Sequence, residues 1–115
     1  MNPISALVAW RKSNPAPANS TGWYLPSAKE LHMLCYKDVD NIRAGGNGYT
    51  NTKEVVNASL VKFNGSTFGD EIYASSTEYY KDYGYYHVFT VTFKNASVYH
   101  NPKYNDFFVR AVCAF

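Results

Sequence analysis

Sulfur, concentrated charge and long apolar runs are all scarce in this sequence. Cysteine occurs only twice in 115 residues. Cys35 and Cys113 stand far apart and match neither a zinc-ligand spacing nor a redox CxxC pair. Two readings of them stay open. They are buried small apolar side chains, as free cysteine often is, or they form a helix-to-strand disulfide in an extracellular protein. The formal charge is only +2, and no run of five or more Lys or Arg occurs. That disfavours a nucleic-acid groove or an anionic membrane as partner. No stretch reaches the roughly 20 apolar residues needed to span a bilayer. Met1 to Trp10 is apolar but lacks a basic leader, so it reads as a helix of the domain. Any targeting signal is then expected upstream or not at all.

Catalytic signatures are missing too: there is no HExxH, GxSxG, P-loop or GxGxxG. The three histidines, His32, His87 and His100, are scattered and give no metal-binding spacing. Ser75-Ser76-Thr77-Glu78 sets hydroxyls beside a carboxylate, but a nucleophile needs a base held by a third group. It reads as a structural turn whose hydroxyls satisfy backbone groups. Asp38-Val39-Asp40-Asn41 and Asn105-Asp106 offer oxygen ligands without the rest of a calcium loop. No catalytic residue, metal or cofactor is expected.

What is present suffices for one domain over 1–115, with enough aliphatic and aromatic residues to fold without a staple. A first helix is expected from Pro3 to about Ser13, with Asn2 as its cap and Pro3 at its first position. Ile4, Leu7, Val8 and Arg11 recur at the helical period as one stripe. Asn14 to Gly22 breaks regular structure. Ser27 and Glu30 then form a capping box, with Pro26 and Leu31 placed for a hydrophobic staple. That helix should run through Leu34 and Cys35 and end before Gly45-Gly46-Asn47-Gly48. Asn51-Thr52-Lys53-Glu54 starts a third helix, with Val56, Leu60 and Phe63 in step and Gly65 placed to end it. Val55, Val56 and Val61 would equally suit a strand.

From Ile72 onward the pattern changes to strands: Ile72-Tyr73, His87 to Phe93, Ser97 to Tyr99 and Phe107 to Phe115. Phe89, Val91 and Phe93 alternate with Thr90 and Thr92 as in a half-buried strand. Lys94-Asn95-Ala96 reads as a hairpin turn. Helices first and strands last imply an α+β class, with helices packed on a small, largely antiparallel sheet.

Seven of the eleven tyrosines lie between Tyr79 and Tyr104, mixed with Asp, His and Asn. Tyr79 to Tyr86 has no clean alternation, so these rings cannot all be buried. Tyrosine beside Ser, Gly and Asn is the composition of binding loops, giving large amphipathic contact at low entropy cost. Exposed aromatic clusters also mark protein and sugar interaction sites. The plainer alternative is amphipathic cover over a sheet edge. Four Asn-x-Ser/Thr matches, at Asn19, Asn57, Asn64 and Asn95, read as chance.

Three stretches together resemble the bacterial and phage C-type-lectin-like domains related to the formylglycine-generating-enzyme fold. They are Gly22-Trp23-Tyr24-Leu25-Pro26-Ser27 with Glu30-Leu31, Ala74 to Glu78, and Val109-Arg110-Ala111-Val112-Cys113-Ala114-Phe115. Ala74 and Cys113 depart from the family, which often has Trp and Arg there. Within it, the region 79–107 resembles the diversified segment of the variable proteins of diversity-generating retroelements. The resemblance implies a C-type-lectin-like, non-catalytic domain on a bacterial surface or a phage tail or fibre. Its partner would be a protein receptor or surface glycan. The implied ligand positions are Tyr79, Tyr80, Asp82, Tyr83, Tyr85, Tyr86, His87, Tyr99, His100, Asn101, Tyr104, Asn105, Asp106 and Phe107. A fixed adhesin or fimbria-associated module of the same fold is the alternative. An oxidase of the formylglycine-generating branch would need a reactive cysteine site, which Cys35 and Cys113 do not suggest.

Overall fold

The computed structural model describes residues 3–35, 51–79 and 87–115. Three helices, α1 (Pro3–Arg11), α2 (Ala28–Met33) and α3 (Asn51–Lys62), precede three strands, β1 (Ile72–Tyr79), β2 (His87–Thr92) and β3 (Ser97–Pro102). The strands form an antiparallel sheet in the order β1-β2-β3. The arrangement is α+β, as the sequence pattern implies.

Pro3 opens α1, where its missing N–H costs nothing; the proposed cap, Asn2, lies outside the described residues. Asn14 donates its side-chain N–H to the Trp10 carbonyl, and Pro15 cannot continue the helix. The buried residues are Pro3 and Leu7, one turn apart. The expected stripe is narrower than its periodicity suggested: Ile4 and Val8 are 53% and 51% exposed. The helix packs mainly along β1, so only one row of side chains is covered.

The Ser27–Glu30 capping box forms as expected. The Glu30 N–H donates to Ser27 Oγ at 3.1 Å, and the Ser27 N–H donates to Glu30 Oε1 at 2.9 Å. Leu31 and Pro26 are both buried. α2 is shorter than its periodicity implies, because the Leu34 and Cys35 N–H groups reach back only three residues, to Leu31 and His32. This tight turn still delivers Cys35 to the core. The expected helix end near Gly45 and the Asp38–Asn41 oxygens lie outside the described residues.

Residues 51–62 are helical rather than extended, and Val56 and Leu60 rest against the core. Phe63 does not join them; it lies past the last turn and is 79% exposed. The helix stops on a Schellman pair, with the Gly65 N–H on the Leu60 carbonyl and the Asn64 N–H on Val61. The left-handed residue is Asn64 (φ 60°), not Gly65. A Cβ at Gly65 would lie 2.9 Å from Leu60 Cδ2, so a larger residue there would have to displace that side chain. Asn57 then clamps the returning chain: its Nδ2 donates to the Phe68 carbonyl and its Oδ1 accepts the Phe68 N–H, both at 2.7 Å.

β1 is longer than the sequence pattern shows. Ser75-Ser76-Thr77-Glu78 is strand, not turn, with a register irregularity between Ala74 and Glu78. The expected hydroxyl chemistry is present and explains how the irregularity is tolerated. Ser75 Oγ donates to the Phe89 carbonyl and accepts the Thr77 N–H, while Thr77 Oγ1 accepts the Ala28 N–H at the start of α2. Residues 93–96 make the β2–β3 turn, with Ala96 at φ 58° and the Ser97 N–H on Asn95 Oδ1. The run 107–115 is not a strand. Phe108 bridges to Tyr73 and Val112 to Tyr24, so successive residues are shared between two elements instead of forming one ladder.

The core gathers Leu31, Cys35, Phe68, Tyr73, Val91, Phe93 and Val98. Phe68 stacks on Phe93 with centroids 4.8 Å apart and meets Tyr73 edge-on. β2 is covered on both faces: Thr90, expected to face solvent, is 1% exposed and accepts from Asn101 Nδ2. Both cysteines are free, Cys35 buried and Cys113 half-buried, so the disulfide reading does not hold. Burial pushes the Cys35 thiol up to about 12.

Candidate functional site

Strand pairing brings part of the expected ligand set to one end of the sheet. Tyr79, at the end of β1, pairs with His87, at the start of β2, and His87 pairs with Pro102 at the end of β3. His100 lies opposite Phe89, on the same face as His87 by the two-residue period of a strand. The Tyr79 ring lies flat on His100, with centroids 3.9 Å apart and planes 6° from parallel. Phe89 meets Tyr79 edge-on at 5.5 Å. The Nδ1 atoms of His87 and His100 are 3.1 Å apart. At the neighbouring position, Glu78 pairs with Lys103 at 2.5 Å.

The expected set does not form one continuous face. Tyr99 and Asn101 alternate with His100 and point to the opposite side, where Asn101 is used in holding Thr90. Tyr99 is 52% and Tyr104 75% exposed, and Asn105 and Asp106 are also exposed. Phe107 is half-buried. Tyr80, Asp82, Tyr83, Tyr85 and Tyr86 lie outside the described residues. Among the described residues after Tyr73, Tyr79 is half-buried and Tyr99 and Tyr104 are exposed.

Two features escaped the sequence reading. One is the meeting of His87 with His100; thirteen positions apart and without motif spacing, they become neighbours only through the β2–β3 register. The other is a groove of about 640 Å³ between α1 and the chain's end, walled by Leu7, Trp10, Trp23, Val109 and Arg110. Trp10 and Trp23 meet edge-to-face at 5.3 Å, and Trp23 Nε1 is buried with no hydrogen-bond partner among the described residues. Arg110 lies over the Phe68 ring at 4.3 Å and donates to the Ser66 carbonyl. Desolvation lowers its pKa. The available signal was Trp10 one turn beyond Leu7, on the side of α1 that meets Trp23.

The Cys35 thiol is sealed in the core and held protonated. Among the described residues no three His, Cys, Asp or Glu side chains converge as a ligand set, and no helix is long and apolar enough to cross a membrane. No protein-family model matches the chain, and no curated protein or solved structure matches it.

Proposed function

We propose that this chain is a non-catalytic ligand-binding domain of C-type-lectin-like architecture, presenting a Tyr-, His- and Asn-rich end of its sheet to a protein receptor or surface glycan. The observation that carries this reading is a division of labour. Core packing rests on Leu31, Phe68, Tyr73, Val91 and Phe93, whereas Tyr79 and His87 sit at the far end of the strands, His100 two residues short of it and Tyr104 just beyond it, and Tyr99 lies exposed in mid-β3 on the opposite face. A scaffold divided this way accepts changes at that end without losing its core. Tyrosine and histidine there supply broad amphipathic contact.

The same reading makes the region 79–107 the product of retroelement-directed diversification, with the domain carried on a bacterial surface or a phage tail or fibre. The test is to sequence the DNA flanking the gene, in its source and in close relatives. A reverse transcriptase beside a near-copy of the codons for 79–115, differing almost only at adenines, supports it. A region 79–107 identical across relatives, with no such copy, refutes diversification and leaves a fixed adhesin.

A further inference from the structure

Of the three histidines, His32 is sealed in the core at 0% exposure, and the other two are diagonal neighbours on β2 and β3. The ring centroids of His87 and His100 are 5.2 Å apart but their Nδ1 atoms only 3.1 Å, so both nitrogens point inward. The His100 ring is fixed from two sides. Tyr79 lies flat against it, and Phe89 meets it edge-on at 6.4 Å.

A single hydrogen bond accounts for such a distance if one ring carries its proton on Nδ1 and the other presents a bare Nδ1. A shared metal ion accounts for it equally well. Zn–N bonds are about 2.0–2.1 Å, which places two nitrogens about 3.3–3.4 Å apart at a tetrahedral angle and about 2.9 Å apart at a right angle. The observed spacing falls between these. The spacing of the two nitrogens is therefore within tenths of an ångström of the coordinated value, and the remaining change is a rotation of the rings that turns both Nδ1 lone pairs from each other toward a common ion.

We propose that His87 and His100 form a two-nitrogen site for a borderline divalent transition cation, Zn²⁺ or Cu²⁺. Imidazole suits these ions, whereas Ca²⁺ and Mg²⁺ favour oxygen. Each Nδ1 lone pair forms one bond to the ion. The ring that held its proton on Nδ1 transfers it through solvent to Nε2, so no proton is released from the neutral pair. Further donors, from water or from the chain, would complete the coordination. The site shares His87 and His100 with the proposed ligand face, but metal binding is measured without any receptor or glycan, so it stands or falls separately from that reading.

The test uses the full chain, stripped of metal with a chelator, and titrates ZnCl₂ alone by calorimetry at neutral pH. Cu²⁺ paramagnetic resonance reports the ligand nitrogens. Even outer-shell partners are worth about 10–100-fold in metal affinity, so H87A and H100A should each weaken binding at least about tenfold. The expected result is one ion per chain, loss of binding in H87A/H100A, and no change in C113S. Circular dichroism monitors folding, and H87Q/H100Q replaces the alanine pair if that variant unfolds. Binding by the folded double variant equal to wild type would overturn the proposal, as would absence of Zn²⁺ binding up to millimolar metal.

Discussion

Removing the Asn57 side chain should unfasten the segment that carries Phe68 into the core. The amide makes two hydrogen bonds of 2.7 Å to one residue's backbone N–H and carbonyl, and Phe68 is only 6% exposed. Water cannot readily take over both groups. Hydrogen bonds contribute about 0.5–1.5 kcal/mol each, and a buried group left unpaired costs about 1–3 kcal/mol. Asn57→Ala should therefore cost about 3 kcal/mol, offset by roughly 0.5 kcal/mol from alanine's better helix propensity within α3. The net loss of about 2–3 kcal/mol corresponds to a melting temperature lower by about 10 °C for a domain of this size. Thermal and urea unfolding followed by circular dichroism measure it. Because Arg110 lies over the same ring and donates to Ser66, Asn57→Ala and Arg110→Ala should be non-additive in a double-mutant cycle. An unchanged melting temperature in Asn57→Ala would refute the clamp, and strict additivity would refute its coupling to Arg110.

Thiol labelling of the native protein should modify Cys113 and spare Cys35, which reacts only after unfolding; simultaneous reaction of both would contradict the burial of Cys35. The Glu30 carboxylate is held below its ordinary value, first by accepting the Ser27 N–H and also by the Tyr24 hydroxyl. Its contribution is fully present above the unfolded value of about 4.3 and is lost as pH falls through the lower folded value. Glu30→Gln should flatten the acid limb of urea midpoints against pH, and an unaltered limb would count against the capping box as its source. Replacing Tyr83, Tyr85 and Tyr86 together by alanine should leave the melting temperature nearly unchanged while weakening receptor or glycan binding by about 2 kcal/mol or more; unfolding would show that these rings are core. Tyr99→Ala with Tyr104→Ala, both exposed, should shift stability by no more than about 0.5 kcal/mol each, and a larger loss would show that their rings pack.

Local chemistry was the legible part of the sequence. The Ser27–Glu30 cap and the 94–96 turn each depend on side chains within a few residues, so spacing alone reveals them. Misreadings arose where distant groups decide the outcome. Ser75 to Glu78 looks like a turn because its hydroxyls seek backbone partners, but those partners lie on Phe89 and at the start of α2. Residues 107–115 carry strand-like composition but bond to two different elements. The four Asn-x-Ser/Thr matches show the same limit. Asn19 and Asn64 occupy left-handed backbone, and the Asn57 and Asn95 side chains bind backbone groups, so each has a local use that the motif does not express. In the candidate site, composition marked out residues 79–107 as one set, but strand alternation divides the described ones between two faces.

The pairing of 21–24 with 112–114 has a mechanical consequence. The Tyr24 and Val112 backbones exchange reciprocal hydrogen bonds, and Thr21 pairs with Ala114 through its N–H and its side-chain hydroxyl. The pair runs antiparallel, with Thr21 and Ala114 together at its outer end. Tension drawn through the two flanks of the chain therefore pulls on that end and opens the bonds one after another, as in a zipper, instead of shearing them together. Under load this seam should part at low force, while the β1-β2-β3 sheet, which lies between the two halves of the seam in sequence, stays closed.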